Sequence, residues 1–201
     1  MKTEVSSLFL KLNQRLYDLR KPVVMGIVNV TPDSFFSLSR FKMGRSLLNQ
    51  VEQQIADGAT MIDVGGYSTR PQAAPVSSEE ELRRIAEPIE LIRKKFPDIP
   101  VSVDTFRSEV ARAVVEHYGV AMINDVSGGT LDPRMFETVA ALGVAYVLMH
   151  TKGTPQNMHT LTEYDALLPD VIHFLEKRVA QLHLLGVNDV VIDPGFGFAK
   201  T

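Results

Sequence analysis

The chain has 201 residues, 45% hydrophobic and 22% charged, with a formal charge of -3 and a pI near 6.0, which is enough for a globular protein with one sizeable core. It has no long basic block, which argues against nucleic acid as a partner. The absence of cysteine excludes disulfides and thiolate metal sites and suits a cytoplasmic location.

In chain order, residues 1–21 read as a lead-in helix. Lys11, Asn13 and Arg15 interrupt its apolar stretch, so neither a signal peptide nor a membrane span is expected. A strand follows over 22–29 (PVVMGIVN). A recurring phrase then organises the rest: an amphipathic helix, a glycine, a short apolar run and a polar residue. It occurs as DGATMIDVGG (57–66), YGVAMINDVSGG (118–129), LGVAYVLMH (142–150) and LGVNDVVIDPG (185–195). Gly58, Gly119, Gly143 and Gly186 sit where a helix ends in a left-handed residue. The short β-branched runs suit strands covered on both faces. A further strand, IPVSVDT (99–105), lacks the glycine.

Helices fill the gaps. Ser78 and Glu81 suggest a capping box opening a helix that reaches about Lys95, with Leu82, Ile85, Ile89 and Ile92 on one face and a kink at Pro88. Asp132-Pro133 reads as an N-cap and first helical residue. Ile172, Leu175, Val179 and Leu182 form the inner stripe of the last helix.

Six βα units predict a parallel sheet, either doubly wound or closed into a barrel. Asn29, Gly65-Gly66, Asp104, Asn124, Met149-His150 and Asp193 all fall at the C-terminal ends of strands. Those ends share one mouth only in a barrel, so a TIM-type (β/α)8 barrel is expected, in a single domain over 1–201. Six strands fall short of the eight such a barrel contains, so the C-terminal part of the barrel is expected to be absent.

Six motifs carry a family resemblance: MGIVNVTPDSF (25–35), IDVGGYSTRP (62–71), SVDTFR (102–107), INDVSGG (123–129), MHTKGTPQNM (149–158) and DPGFGFAKT (193–201). Together and in this order they resemble the dihydropteroate synthases, over roughly residues 23–201. The resemblance implies condensation of 6-hydroxymethyl-7,8-dihydropterin pyrophosphate with 4-aminobenzoate in folate biosynthesis. It implies that Asp104, Asn124 and Asp193 bind the pterin, whose guanidine-like edge of donors suits converging carboxylates and an amide. The alternative for each is capping backbone groups in a βα turn.

Met149 is expected on the pterin face, with ordinary core packing as its rival reading. Thr69 and Arg70 are implied at the pyrophosphate and Asn29 at Mg²⁺, a cation that takes few protein oxygens beside phosphates and waters. Phe35, Pro71 and Phe198 would form an apolar slot for the aminobenzoate ring. His150 reads as structural, since the sequence places no carboxylate to orient it.

The chain also departs from the family pattern. Phe36, Ser37, Leu38 and Ser39 replace a common Ser-Asp-Gly-Gly, Tyr67 stands where glutamate is common, and Ala199 where glycine is usual. The family's Ser-Arg-Lys and Arg-x-His motifs of strands seven and eight have no counterpart, so the chain alone is expected to be inactive or nearly so. A homodimer is implied for the full-length protein. Two rival readings remain: a pterin-binding methyltransferase domain, against which the STRP loop argues, and a non-catalytic pterin-binding fragment.

Overall fold

The computed structural model describes residues 8–30, 40–68 and 75–200, with the backbone alone for 40–43. Its strands are β1 (Phe9–Leu12), β2 (Arg15–Asp18), β3 (Val24–Asn29), β4 (Ala59–Gly65), β5 (Val101–Asp104), β6 (Met122–Asp125), β7 (Ala145–Met149) and β8 (Val190–Asp193). The helices are α1 (Arg40–Ala56), α2 (Ser78–Lys95), α3 (Ser108–Tyr118), α4 (Met135–Leu142) and α5 (Leu167–Leu184). Strands β3 to β8 form one parallel sheet in sequential order, a curled part-barrel. No strand order reverses, so the sheet has no switch point of the doubly wound kind.

The two faces of the sheet confirm this. Val28, Ile62, Val64, Val103, Ile123, Tyr146 and Leu148 point outward into a core shared with Ile85, Ile89, Val110, Val139 and Leu175 of the helices. The alternate residues Met61, Met122, Ala145 and Val147 point inward into a separate cluster that holds no helix residue among those described; they pack against Leu10 and Leu12. Helices on one face only, over a sequentially ordered parallel sheet, are barrel architecture.

The lead-in is not a helix. β1 and β2 pair as an antiparallel hairpin around Asn13, whose φ of 56° meets the need of a two-residue turn for a positive φ. A short apolar run fits either period, and here the period of two wins because Leu10 and Leu12, at alternate positions, plug the barrel floor. Lys11 N–H donates to Asp189 Oδ1 at 2.7 Å, tying the hairpin to the turn before β8.

The glycine reading holds: Gly58, Gly119, Gly143 and Gly186 all have positive φ. Helix α2 runs to Lys95 as expected, but its N-cap is Ser77, whose Oγ accepts from Glu80 N–H at 3.2 Å. Glu81 does not reach back to the cap; it is fully buried in an ion pair with Arg107. Helix α4 starts at Met135 with Arg134 as its N-cap, two residues later than Asp132-Pro133 suggested. Asp132 accepts from Arg134 N–H at 3.0 Å in the turn before it and from Ser108 N–H at 2.8 Å at the start of α3. In α5 the buried stripe is Val171, Leu175 and Leu182, and Ile172 lies 45% exposed beside it. Among the described residues β3 and β8 are the sheet edges; Ile27 on the inner face of β3 is 57% exposed.

Candidate functional site

Strand register builds the site. Parallel pairing sets Asn29 opposite Gly65, Gly65 opposite Asp104, and Asp104 opposite Asn124, so these four form one row across the inner face. One pleat deeper lies a second row of Ile27, Asp63, Ser102 and Met122. Met149 and Asp193 pair at the upper end of β7 and β8. Period-two alternation therefore puts Asn29, Asp104, Asn124, Met149 and Asp193 on one face at one end of the sheet.

Gly65 makes the row hollow. A Cβ there would lie 3.3 Å from Asn29 Oδ1 and 3.5 Å from Asp104 Oδ2, so both oxygens border the same gap. The floor beneath is acidic. Asp63 is 4% exposed; its Oδ2 accepts from Asn124 Nδ2 at 3.0 Å, while Oδ1 and the neighbouring Ser102 Oγ have no hydrogen-bond partner among the described residues. Burial raises the Asp63 carboxyl, and burial reinforced by Asp63, Glu81 and Asp125 pushes Asp104 well above the ordinary carboxylate range. A cationic or donor-rich ligand edge is what such crowded carboxyls can stabilise.

The loops after β7 and β8 lock together. Asp193 Oδ1 accepts from Gly195 N–H at 2.7 Å, and Lys200 Nζ donates to the carbonyls of His150, Gly195 and Phe198 at 3.1, 3.1 and 2.9 Å. His150 is 3% exposed, edge-on to Phe174, with Nδ1 unpartnered among the described residues. Burial, then Lys200, lowers its pKa to about 4. An unfolded histidine takes up its proton near 6.5, so the stability from keeping this ring neutral is full above about 6.5 and is lost as pH falls toward 4. The buried carboxyls act in the opposite direction. Comparison of urea midpoints at pH 7 and 5 should therefore show a smaller acid loss for His150→Gln than for the unmodified chain.

A family model described as "Pterin binding enzyme" matches residues 25–201. The chain is 40% identical over 195 residues to the dihydropteroate synthase of Synechocystis sp., covering 96% of this chain and 67% of that protein. The chain belongs to the pterin-binding enzyme family. Within that family it sits among the dihydropteroate synthases: it is 38% identical to that of Haemophilus influenzae, over 94% of this chain and 68% of the relative. The Xanthomonas albilineans dihydropteroate synthase, solved with 4-aminobenzoic acid, superposes with a TM-score of 0.84 at 39% identity, over 98% of this chain and 69% of that one. The chain thus spans about two thirds of the length of these relatives. It spans 36% of the mitochondrial folate synthesis bifunctional protein of Arabidopsis thaliana.

Within this pterin-binding fold, the residues expected from sequence fare differently. Asp104, Asn124, Asp193 and Asn29 converge as expected, the first three half-buried and Asn29 exposed. Met149 faces the same way but is 2% exposed, with its Cγ packed beside Gly195, so it is largely core. Phe198 is half-buried in the β8 loop. Phe35, Thr69, Arg70 and Pro71 lie outside the described residues.

Of the family departures, Phe36, Ser37, Leu38 and Ser39 lie outside the described residues, while Tyr67 and Ala199 are described. Tyr67 Oη accepts from Gln156 Nε2 at 2.5 Å, and its ring meets Phe106 edge-on at 5.1 Å with the Arg107 guanidinium 5.2 Å above it. Arg107 in turn donates to Val76 O at 2.5 Å, fixing the chain just beyond 69–74. Ala199 takes the left-handed φ of 51° that glycine would adopt freely.

Sequence reasoning missed Asp63, Asp125 and Lys200. Asp63 was detectable, since it shares the parity of Met61 and Gly65. Asp125, of opposite parity to Asn124, is buried and accepts from Ser127 N–H, Gly129 N–H and Tyr146 Oη–H at 2.7, 3.0 and 2.7 Å. It holds the turn after β6 and does not face the mouth. Lys200 carried no sequence signal, because its partners are carbonyls.

Proposed function

We propose that this chain carries the pterin site of a dihydropteroate synthase, which joins 6-hydroxymethyl-7,8-dihydropterin pyrophosphate to 4-aminobenzoate and releases pyrophosphate. The observation that carries this reading is the convergence of Asp104, Asn124 and Asp193 at one end of the inner face, beside the hollow at Gly65. A pterin's amino and ring N–H donors match that acceptor set. Asp104 and Asp193 orient the ring and stabilise positive charge developing at the exocyclic methylene as pyrophosphate departs. The aromatic amine of 4-aminobenzoate, neutral near pH 7, attacks that carbon without a strong base. Much of the remaining gain comes from holding amine and methylene in line.

Thr69 and Arg70 are assigned to the pyrophosphate. Phe35, Pro71 and Phe198 are assigned to the aminobenzoate ring. Among the described residues no three His, Asp or Glu side chains cluster to hold a metal. The Asn29 oxygen at the edge of the Gly65 hollow fits Mg²⁺, which accepts one protein oxygen and fills its shell with phosphates and waters. When bound, Mg²⁺ would neutralise charge on the leaving pyrophosphate. No described helix is long and apolar enough to cross a membrane. A cytoplasmic homodimer is the assembly we propose for the full-length protein.

The test is dihydropteroate formation by the 201-residue chain with both substrates and Mg²⁺, alongside pterin binding. Product would show the site complete within these residues. Pterin binding without product would assign the remaining groups to the third of the relatives' length that this chain does not span. Neither binding nor product from a folded chain would overturn the reading. Gly65→Ala should fold normally but weaken pterin binding about tenfold, or ~1.4 kcal/mol, because its methyl fills the hollow between Asn29 and Asp104; calorimetric titration measures it.

A further inference from the structure

Asp63 lies beneath the site, hydrogen-bonded to Asn124 of the residues assigned above and close enough to Asp104 to raise its carboxyl. It is costly where it stands. The side chain is 4% exposed, and one carboxylate oxygen has no hydrogen-bond partner among the described residues. Ser102 Oγ, opposite Asp63 in the β4–β5 register, is likewise buried without a partner. A buried carboxylate with an unsatisfied oxygen destabilises a fold, and a neutral amide of the same shape would relieve it. Something other than stability therefore accounts for an acid at this position.

The bond to Asn124 supplies the reason. Asp63 Oδ2 is an acceptor whether the carboxyl is ionised or carries its proton on Oδ1. Asn124 must therefore turn its nitrogen toward Asp63 Oδ2, as it does at 3.0 Å. Its oxygen is then on the side of the amide away from Asp63, and Asn124 stands in the row with Asp104 and Asn29 at the mouth. An Asn amide free to flip would present either a donor or an acceptor to a ligand.

We propose that Asp63 is a positioning residue that locks the Asn124 amide with its oxygen toward the mouth, so that the site demands a hydrogen-bond donor on the ligand edge that meets it. This rests on the reading of the mouth as a pterin site and names how that site rejects look-alike rings. An asparagine in place of Asp63 could offer its own oxygen to Asn124 Nδ2, or its nitrogen to Asn124 Oδ1, so the lock is lost. In either orientation the atom it turns toward Ser102 can bond that hydroxyl, which both donates and accepts, so the fold loses no bond.

The experiment compares two probes on the 201-residue chain: 6-hydroxymethylpterin, and the 2,4-dioxo analogue in which a carbonyl replaces the 2-amino donor. The unmodified chain should prefer the pterin. Asp63→Asn should cut that preference about tenfold or more while melting at the same or a higher temperature, an effect opposite to the loss expected of a purely structural residue. The swapped pair Asp63→Asn with Asn124→Asp restores a fixed acceptor at the mouth, held by the amide that the first substitution introduces. It should return the preference to within about threefold of the unmodified value. An unchanged preference in Asp63→Asn, a swap that restores nothing, or an Asp63→Asn chain that does not fold would each overturn the proposal. An unmodified chain that binds neither probe would instead overturn the pterin reading of the site.

Discussion

Asp193→Asn should weaken pterin binding about 30- to 100-fold, the loss of one hydrogen bond to a charged group at ~2–3 kcal/mol, with no loss of fold. The substitution separates the two roles that a strand-end aspartate can play. Asp193 Oδ1 holds the turn by accepting from Gly195 N–H, and an asparagine oxygen keeps that bond. The second oxygen becomes a donor and meets a donor on the ligand. Asp193→Ala loses the turn bond as well and should lower the melting temperature, which Asp193→Asn should not. Titration calorimetry with 6-hydroxymethylpterin decides the matter. Unchanged affinity in Asp193→Asn would reduce this residue to a turn-capping role and remove it from the site.

Gly195→Ala should destabilise the chain by about 3 kcal/mol or more, read from urea unfolding. Gly195 has a φ of 69°, and a Cβ there would lie 2.2 Å from His150 O, a backbone atom that cannot swing aside. The left-handed conformation costs a non-glycine residue roughly 1–2 kcal/mol, and overpacking adds about 1–3 more. Gly143 is the control. Its φ is 63°, but nothing lies within 4 Å of a built Cβ. Gly143→Ala should therefore cost only the conformational part, about 1–2 kcal/mol. Equal losses at the two positions would show that close approach of the β7 and β8 loops does not matter. A larger loss at Gly195 with weakened pterin binding would link that approach to the site.

Much of the architecture was legible because it repeats. Each helix–glycine–strand phrase carries its own stop signal and its own apolar run, and local sterics decide both without distant partners. That is why all six barrel strands and their glycine-capped helices are where the sequence places them. The N-terminal segment was not legible. A short apolar run broken by a lysine is compatible with either period, and Leu10 and Leu12 become strand residues only because the open floor of the barrel needs filling. Glu81 was misplaced for a similar reason: its spacing from Ser78 suits a capping box, but Arg107, distant in sequence, captures it.

The sequence by itself determined the order of βα units, the strand-end positions of Asn29, Asp104, Asn124 and Asp193, and the family pattern they belong to. Parity along each strand is a local property, so a strand-end residue announces its face. Only the tertiary structure decided which polar residues answer one another across strands: Asp63 under Asn124, Lys200 among three carbonyls, Asp125 turned outward to Tyr146. Those pairings depend on the register between strands that lie dozens of residues apart. Register is set by the packing of the whole sheet, not by any segment of it.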